Sequence, residues 1–178
     1  MRELSLNVLD IVQNSIVAAA TCIEIALAED TCAKTLRIEV TDNGSGMDED
    51  TLRQAQSPFY TTRTTRSIGL GIPLFKMACE MTGGSFDMWS EPGKGTKLHA
   101  VCKTGHIDMP PVGAMAETIA LLVSCNPAID FIYSRSRGKN SFTLDTRAMR
   151  AELEDVVLCD PAVIAWLKEY LAEQEALL

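Results

Sequence analysis

The chain of 178 residues predicts an α+β fold, a two-layer sandwich with helices on one face of a mixed sheet. Three observations lead there. Helical and strand periodicities alternate along the chain instead of falling into separate blocks. The early strand candidates alternate apolar and polar side chains, so the sheet they build has one face to bury. Glycine-bearing turns sit where a strand ends and where a helix begins, at Asp42-Asn43-Gly44-Ser45-Gly46-Met47 and at Gly69-Leu70-Gly71-Ile72.

Residues 3 to about 20 contain neither glycine nor proline, and Leu4, Val8, Ile11, Val12 and Ile16 recur at helical spacing. Leu6, Leu9 and Val17 make the other flank apolar, which leaves only a narrow polar stripe of Glu3, Asn7, Asp10 and Asn14. A solvated helix has a broader polar face, so this pattern suits a helix that lines a cleft. Residues 22–27 (C-I-E-I-A-L) and 35–41 (T-L-R-I-E-V-T) read as two half-buried strands joined by a polar connection. Asp42 therefore stands at a strand end. Residues 48–55 form a short helix with an acidic first turn, and residues 56–67, rich in threonine and arginine, form a loop. Gly69 or Leu70 opens a helix that runs to about Met81 and ends at Gly83-Gly84. Residues 85–90 and 96–103 make a hairpin about Pro92-Gly93-Lys94-Gly95.

After Gly105 the texture changes. Pro110-Pro111 marks a linker, residues 112–123 a helix and residues 128–134 an apolar strand. Residues 135–140 read as a turn, 141–145 as a second strand, and 147–153 and 161–178 as helices. The expected organisation is a first domain over residues 1–104 and an α-β-β-α-α extension over 105–178, either a small module or an enlargement of the sheet. Val163, Trp166, Leu167, Tyr170 and Leu171 fall on one side of the last helix and are expected in a core, an exposed partner surface being the alternative.

Composition narrows the function classes. A net charge of −8 argues against nonspecific nucleic-acid binding, which needs a basic footprint. No apolar run approaches the ~20 residues of a membrane span. The start M-R-E-L-S-L lacks a signal peptide's apolar centre, so the cytoplasm is expected. The six cysteines include no C-x-x-C pair and are expected as small buried apolar groups in a reduced protein. His99 and His106 are too few for a histidine ligand set.

Four stretches, in order, resemble the boxes of the GHKL ATPases, the superfamily of DNA gyrase, heat-shock chaperone ATPases, histidine kinases and MutL-type repair proteins. Residues 10–15 (D-I-V-Q-N-S) are similar to the N box, and residues 42–47 to the first glycine box. Residues 57–63 (S-P-F-Y-T-T-R) are similar to the F box with the start of the lid, and Gly69-Leu70-Gly71 to the second glycine box. Residues 91–96 (E-P-G-K-G-T) resemble the hairpin that closes the domain. The resemblance spans about residues 4–101 and implies a site for ATP with Mg2+. It assigns Asp42 to the adenine amino group, with the Thr96 hydroxyl in support and Gly44, Gly46 and Met47 lining the base pocket. It places Phe59 at the F box, backbone donors of Gly69, Leu70 and Gly71 at phosphate, Arg63 and Arg66 at the terminal phosphates, and Asn14 on magnesium. Asp10 occupies the position where hydrolysing members carry a glutamate and many kinases an asparagine. Aspartate keeps the carboxylate but reaches one methylene less far toward a water. A P-loop is excluded, because no G-x-x-x-x-G-K-[ST] occurs.

The chain begins almost at the first box and has both histidines late, so a self-contained histidine autokinase is not expected. The lid is short. The resemblance therefore implies an ATP-binding protein acting as ATPase or phosphotransferase. Alternatives are a nucleotide-sensing module without turnover, or an anti-sigma-type kinase acting in trans. A protein partner or a second copy is expected to engage residues 105–178.

Overall fold

The structure is a computed structural model that describes residues 3–57, 70–153 and 157–178. In chain order the elements are α1 (Leu4–Val17), β1 (Cys22–Asp30), β2 (Thr35–Asp42), α2 (Glu49–Ala55), α3 (Gly71–Met81), β3 (Ser85–Glu91) and β4 (Gly95–Lys103). There follow α4 (Met115–Cys125), β5 (Asp130–Arg137), β6 (Asn140–Asp145), α5 (Thr146–Leu153) and α6 (Pro161–Ala176). The strand period of two decides which way the sheet faces. Ile23, Ile25 and Leu27 of β1 and Leu36, Ile38 and Val40 of β2 are all buried, and their neighbours Glu24 and Arg37 are exposed. Each such aliphatic side chain contributes about 1.5–3 kcal/mol on burial. The dry face carries α1, α3, α4 and α6, which add Val8, Val12, Phe75, Ile119 and Leu167 to one continuous core.

All six strands form one sheet in the order β3-β4-β2-β1-β5-β6. β5 runs parallel to β1, with Ile25 opposite Tyr133, and the other pairings are antiparallel. The sheet is mixed, as expected. The segment after residue 105 enlarges this sheet, because β5 takes the edge that β1 would otherwise expose. A parallel partner demands a crossover, and α4 supplies it.

The linker before α4 has a second task. The first N–H groups of a helix lack helical acceptors. Here Leu4 N–H donates to the Pro111 carbonyl and Ser5 N–H to that of Val112, each at 2.9 Å. Residues spent on that contact are not available to a helix. Gly113 stands at φ +79°, and α4 begins at Met115, three residues later than its pattern suggests. The strand read as ending at residue 134 continues to Arg137, since pairing with β1 extends to Glu29 and Arg137 meets the Glu29 carboxylate at 3.4 Å. The turn shrinks to Gly138 and Lys139. α1 stops at Val17, short of residue 20, because Ala19 turns to φ +57°.

Trp166 is a clear departure. Val163, Leu167 and Leu171 recur every four residues and are buried, whereas Trp166 is 51% exposed and stacks on Tyr170 at 5.2 Å. It precedes Leu167 by one residue, a rotation of roughly 100° about the helix axis. α6 is held at its far end by Glu175, whose Oε1 accepts from the Tyr133 hydroxyl at 2.9 Å and from Arg135 at 3.0 Å. Burial, reinforced by that carboxylate, pushes the Tyr133 hydroxyl above the ordinary phenol range. The cysteines also divide: Cys79 and Cys102 are buried, while Cys32, Cys125 and Cys159 are exposed. No helix among the described residues is long and apolar enough to cross a membrane.

A chain ending at Thr104 would lose β5 and with it the cover on β1, exposing backbone donors and acceptors along a strand edge. We expect it to self-associate or to unfold at a lower temperature than the full chain. Light scattering with thermal unfolding checks this, and a monomer of unchanged Tm would show that residues 105–178 add no cover.

Candidate functional site

Strand β2 delivers Asp42 into the interior, where it is only 8% exposed. A buried carboxylate is tolerated only when donors surround it. Three reach Asp42 from three parts of the fold. Ser15 Oγ, on α1, donates to Oδ2 at 2.6 Å. The Gly44 N–H donates to Oδ1 at 2.9 Å, and the Thr96 N–H of β4 to the same oxygen at 3.2 Å.

The turn after Asp42 interlocks with the β3–β4 hairpin through two glycines. Gly46 sits at φ +66°, and a Cβ there would lie 1.9 Å from the Glu91 carbonyl oxygen. Gly95 sits at φ +95°, and its Cβ would lie 1.9 Å from the Asp42 carbonyl oxygen. Only glycine satisfies both the backbone and the contact. Ser90 completes the lock. Its Oγ accepts from the Met47 N–H at 2.8 Å, donates to the Gly95 carbonyl at 2.9 Å and lies 2.9 Å from Thr96 Oγ1. A hydroxyl has one proton, so Thr96 is the donor in that last contact. Asn43 closes the other side, its Oδ1 accepting from the N–H groups of Thr21 and Cys22 at 2.9 Å each.

These contacts frame a cavity of about 410 Å³. Ile11, Val40, Ile72, Met88 and Leu98 form apolar walls, and Asp10, Asn14, Asp42 and Thr96 supply polar groups. The N-terminus of α3 enters through Gly71 and Ile72. A Cβ at Gly71 would stand 2.9 Å from that of Asp10, so the absent side chain lets the helix end approach α1. No lysine or arginine is among the described residues lining the cavity. The first turn of α3, whose Gly71 and Ile72 N–H groups have no acceptor within the helix, is the positive end that faces it.

Of the residues expected from the sequence, Asp10, Asn14, Asp42, Gly46, Met47, Gly71 and Thr96 line this one cavity. Gly44 stands behind Asp42 and contacts it through its N–H. Leu70, the residue preceding α3, is 52% exposed and is not part of the lining. Phe59, Arg63, Arg66 and Gly69 lie outside the described residues. Two residues that hold the site went unread. Ser15 follows Asn14 directly, and its signal was a small hydroxyl on an apolar flank. Ser90 was legible only once the register set it opposite Thr96.

Known proteins resemble this chain in family and in fold. Residues 2–105 match the family described as histidine kinase-, DNA gyrase B-, and HSP90-like ATPase. Sensor protein kinase FleS of Pseudomonas aeruginosa is 38% identical over 90 residues, 51% of this chain and 22% of that protein. Sporulation kinase E of Bacillus subtilis is 42% identical over 62 residues, 35% of this chain and 8% of the kinase. The matched stretch thus spans less than a quarter of either kinase. Among solved structures, the Aquifex aeolicus MutL ATPase domain complexed with ADP superposes with a TM-score of 0.54 at 15% identity, over 86% of this chain and 68% of that one. The N-terminal domain of a DNA repair protein gives 0.57 at 17% identity, over 82% and 52%. The fold likeness therefore extends past residue 105.

Replacing Ser15 by alanine leaves a buried carboxylate oxygen short of a donor, and we expect a loss of about 1–3 kcal/mol in urea unfolding. Gly95→Ala should cost more, since its Cβ meets backbone rather than a movable side chain. A Ser15→Ala protein as stable as the parent would remove the hydroxyl from the support of Asp42.

Proposed function

The chain belongs to the histidine kinase-, DNA gyrase B- and HSP90-like ATPase family, and from that premise we propose that it binds ATP with magnesium in the cavity beside Asp42 and acts on the terminal phosphate as an ATPase or phosphotransferase. One observation carries the reading. A carboxylate offers about four lone-pair directions. Among the described residues Gly44 and Thr96 occupy two on Oδ1 and Ser15 one on Oδ2, and we assign the remaining direction on Oδ2 to a ligand in the cavity that Asp42 lines. Adenine presents there an exocyclic amino group, a donor that matches that acceptor. The apolar walls accept the flat ring. Thr96, its proton turned toward Ser90, serves the adjoining ring nitrogen through a water.

The phosphates extend toward the first turn of α3, where Gly71 and Ile72 offer backbone N–H groups to anionic oxygen. We assign Arg63 and Arg66 to the terminal phosphates on the family pattern. The described residues contain no cluster of three His, Cys, Asp or Glu, so a resident metal cage is not what this site offers. An amide oxygen beside a phosphate channel suits magnesium, which keeps its waters and takes few protein ligands. Asn14 would hold that ion, which when bound offsets phosphate charge. We assign Asp10, one turn earlier and beside Gly71, to orient a water and take its proton as the water attacks the terminal phosphorus and ADP leaves. A partner's hydroxyl or imidazole in place of the water makes the same geometry a phosphotransferase.

Labelled ATP with magnesium, followed separately as free phosphate and as labelled protein, distinguishes hydrolysis, transfer and binding alone. Asp42→Ala removes the charged acceptor for the amino group, a loss of about 1.5–3 kcal/mol or roughly ten- to a hundredfold in affinity. The loss should be greater for ATP than for an analogue without that amino group. Unchanged binding would overturn the site. Asp10→Asn should leave affinity nearly intact and lower turnover by ~10²-fold or more. Unchanged turnover would spare the site and remove Asp10 as its base.

A further inference from the structure

Two thiols meet in the core behind the cavity. Cys79 of α3 and Cys102 of β4 are both 0% exposed, and their sulfur atoms lie 2.9 Å apart, within hydrogen-bond reach of each other. They stand twenty-three positions apart in the chain, so no spacing motif announces them. Around them the backbone is already stitched. Thr82 Oγ1 donates to the Cys79 carbonyl at 2.7 Å and accepts from the Lys103 N–H at 2.9 Å. A disulfide needs its sulfurs at about 2.05 Å, so less than ~1 Å of closure joins the helix to the strand. None of this is used by the proposed nucleotide chemistry.

We propose that Cys79 and Cys102 are a redox modification site, closing on exposure to a hydroperoxide into a reversible disulfide that clamps α3 to β4. Two sulfurs this close in a buried site do not both carry charge, so the pair reacts as one thiolate beside one thiol. The thiolate attacks one peroxide oxygen and the O–O bond breaks, giving a sulfenic acid and hydroxide, which takes up a proton as water. The neighbouring thiol sulfur then attacks the sulfenic sulfur, its proton leaves with the displaced hydroxide as a second water, and the S–S bond forms. Two thiols and one hydrogen peroxide become one disulfide and two waters. A small oxidant suits a pair without solvent exposure, because it enters through local opening of α3 where a bulky disulfide does not. The element so clamped is the one that presents Gly71 to the cavity.

Treatment of the full-length chain with hydrogen peroxide, followed by unfolding, alkylation and peptide mass analysis, tests the site. We expect a Cys79–Cys102 linked peptide and a Tm raised by at least about 5 °C, both reversed by dithiothreitol. A chain in which Cys22, Cys32, Cys125 and Cys159 are all serine keeps the pair and should behave identically, which removes dependence on whether Cys79→Ala or Cys102→Ala folds. The proposal fails if Cys79 and Cys102 remain fully alkylated after peroxide has oxidised the exposed cysteines. It fails equally if both gain oxygen without joining. A linked peptide with no rise in Tm would overturn the clamp.

Discussion

A carboxylate taken into the interior must be met by donors, and in this protein that requirement falls on Asp42 and orders everything near it. The donors come from α1, from the turn after β2 and from β4, so satisfying one side chain fixes three elements against one another. Leaving such a group short costs about 1–3 kcal/mol per lost partner, more for a charge, a large share of the 5–15 kcal/mol by which domains are stable. The glycines at 46 and 95 follow from this. To bring the Thr96 N–H onto Oδ1, the β3–β4 hairpin must pass closer to the β2 end than any Cβ permits. A cavity with a polar floor and aliphatic walls is what remains.

The same helix that supplies Ser15 is held at its other end by the later part of the chain. The carbonyls of Pro111 and Val112 accept from the start of α1, and β5 covers the edge of β1. α1 thus spans from the linker to the buried carboxylate, with Asp10 and Asn14 presented between the two anchorages. A rigid rod pinned at both ends positions side chains better than a loop does. This gives residues 105–178 a physical connection to the cavity, although none of those described lines it.

Much of this was legible in the chain. Period-two alternation placed β1 and β2 to within three residues, because one face of each must be buried and the other is wet. The polar stripe of α1 pointed to a cleft for a related reason: Asp10 and Asn14 have no place in a surface so apolar unless they face a cavity. What stayed hidden depends on partners distant in sequence. Ser15 and Ser90 are ordinary serines until β2 and β4 arrive beside them. Cys79 and Cys102 look scattered because their meeting is set by helix-on-sheet packing, not by spacing. The start of α4 was misplaced since the pull of Leu4 and Ser5 N–H on the linker carbonyls is invisible locally. Trp166 was misplaced because an apolar residue beside a core line need not belong to it.

The electrostatics of the cavity separate its two ends. Asp10 and Asp42 both line it, and no lysine or arginine is among the described residues that do. Among the described residues, two features of the fold favour a polyanion there. One is the first turn of α3, equivalent to roughly half a positive charge. The other is Asn14, a neutral oxygen able to recruit a divalent ion where a carboxylate would add more negative charge. The base end asks nothing of this balance, since a donor amino group meets Asp42 through a single directed bond. In the proposed reading, discrimination among bases therefore resides in the β2–β4 lock and responds little to ionic conditions. In the same reading, retention of the phosphates depends on the ion, on the α3 terminus and on the assigned Arg63 and Arg66, and is the part that salt and metal concentration control.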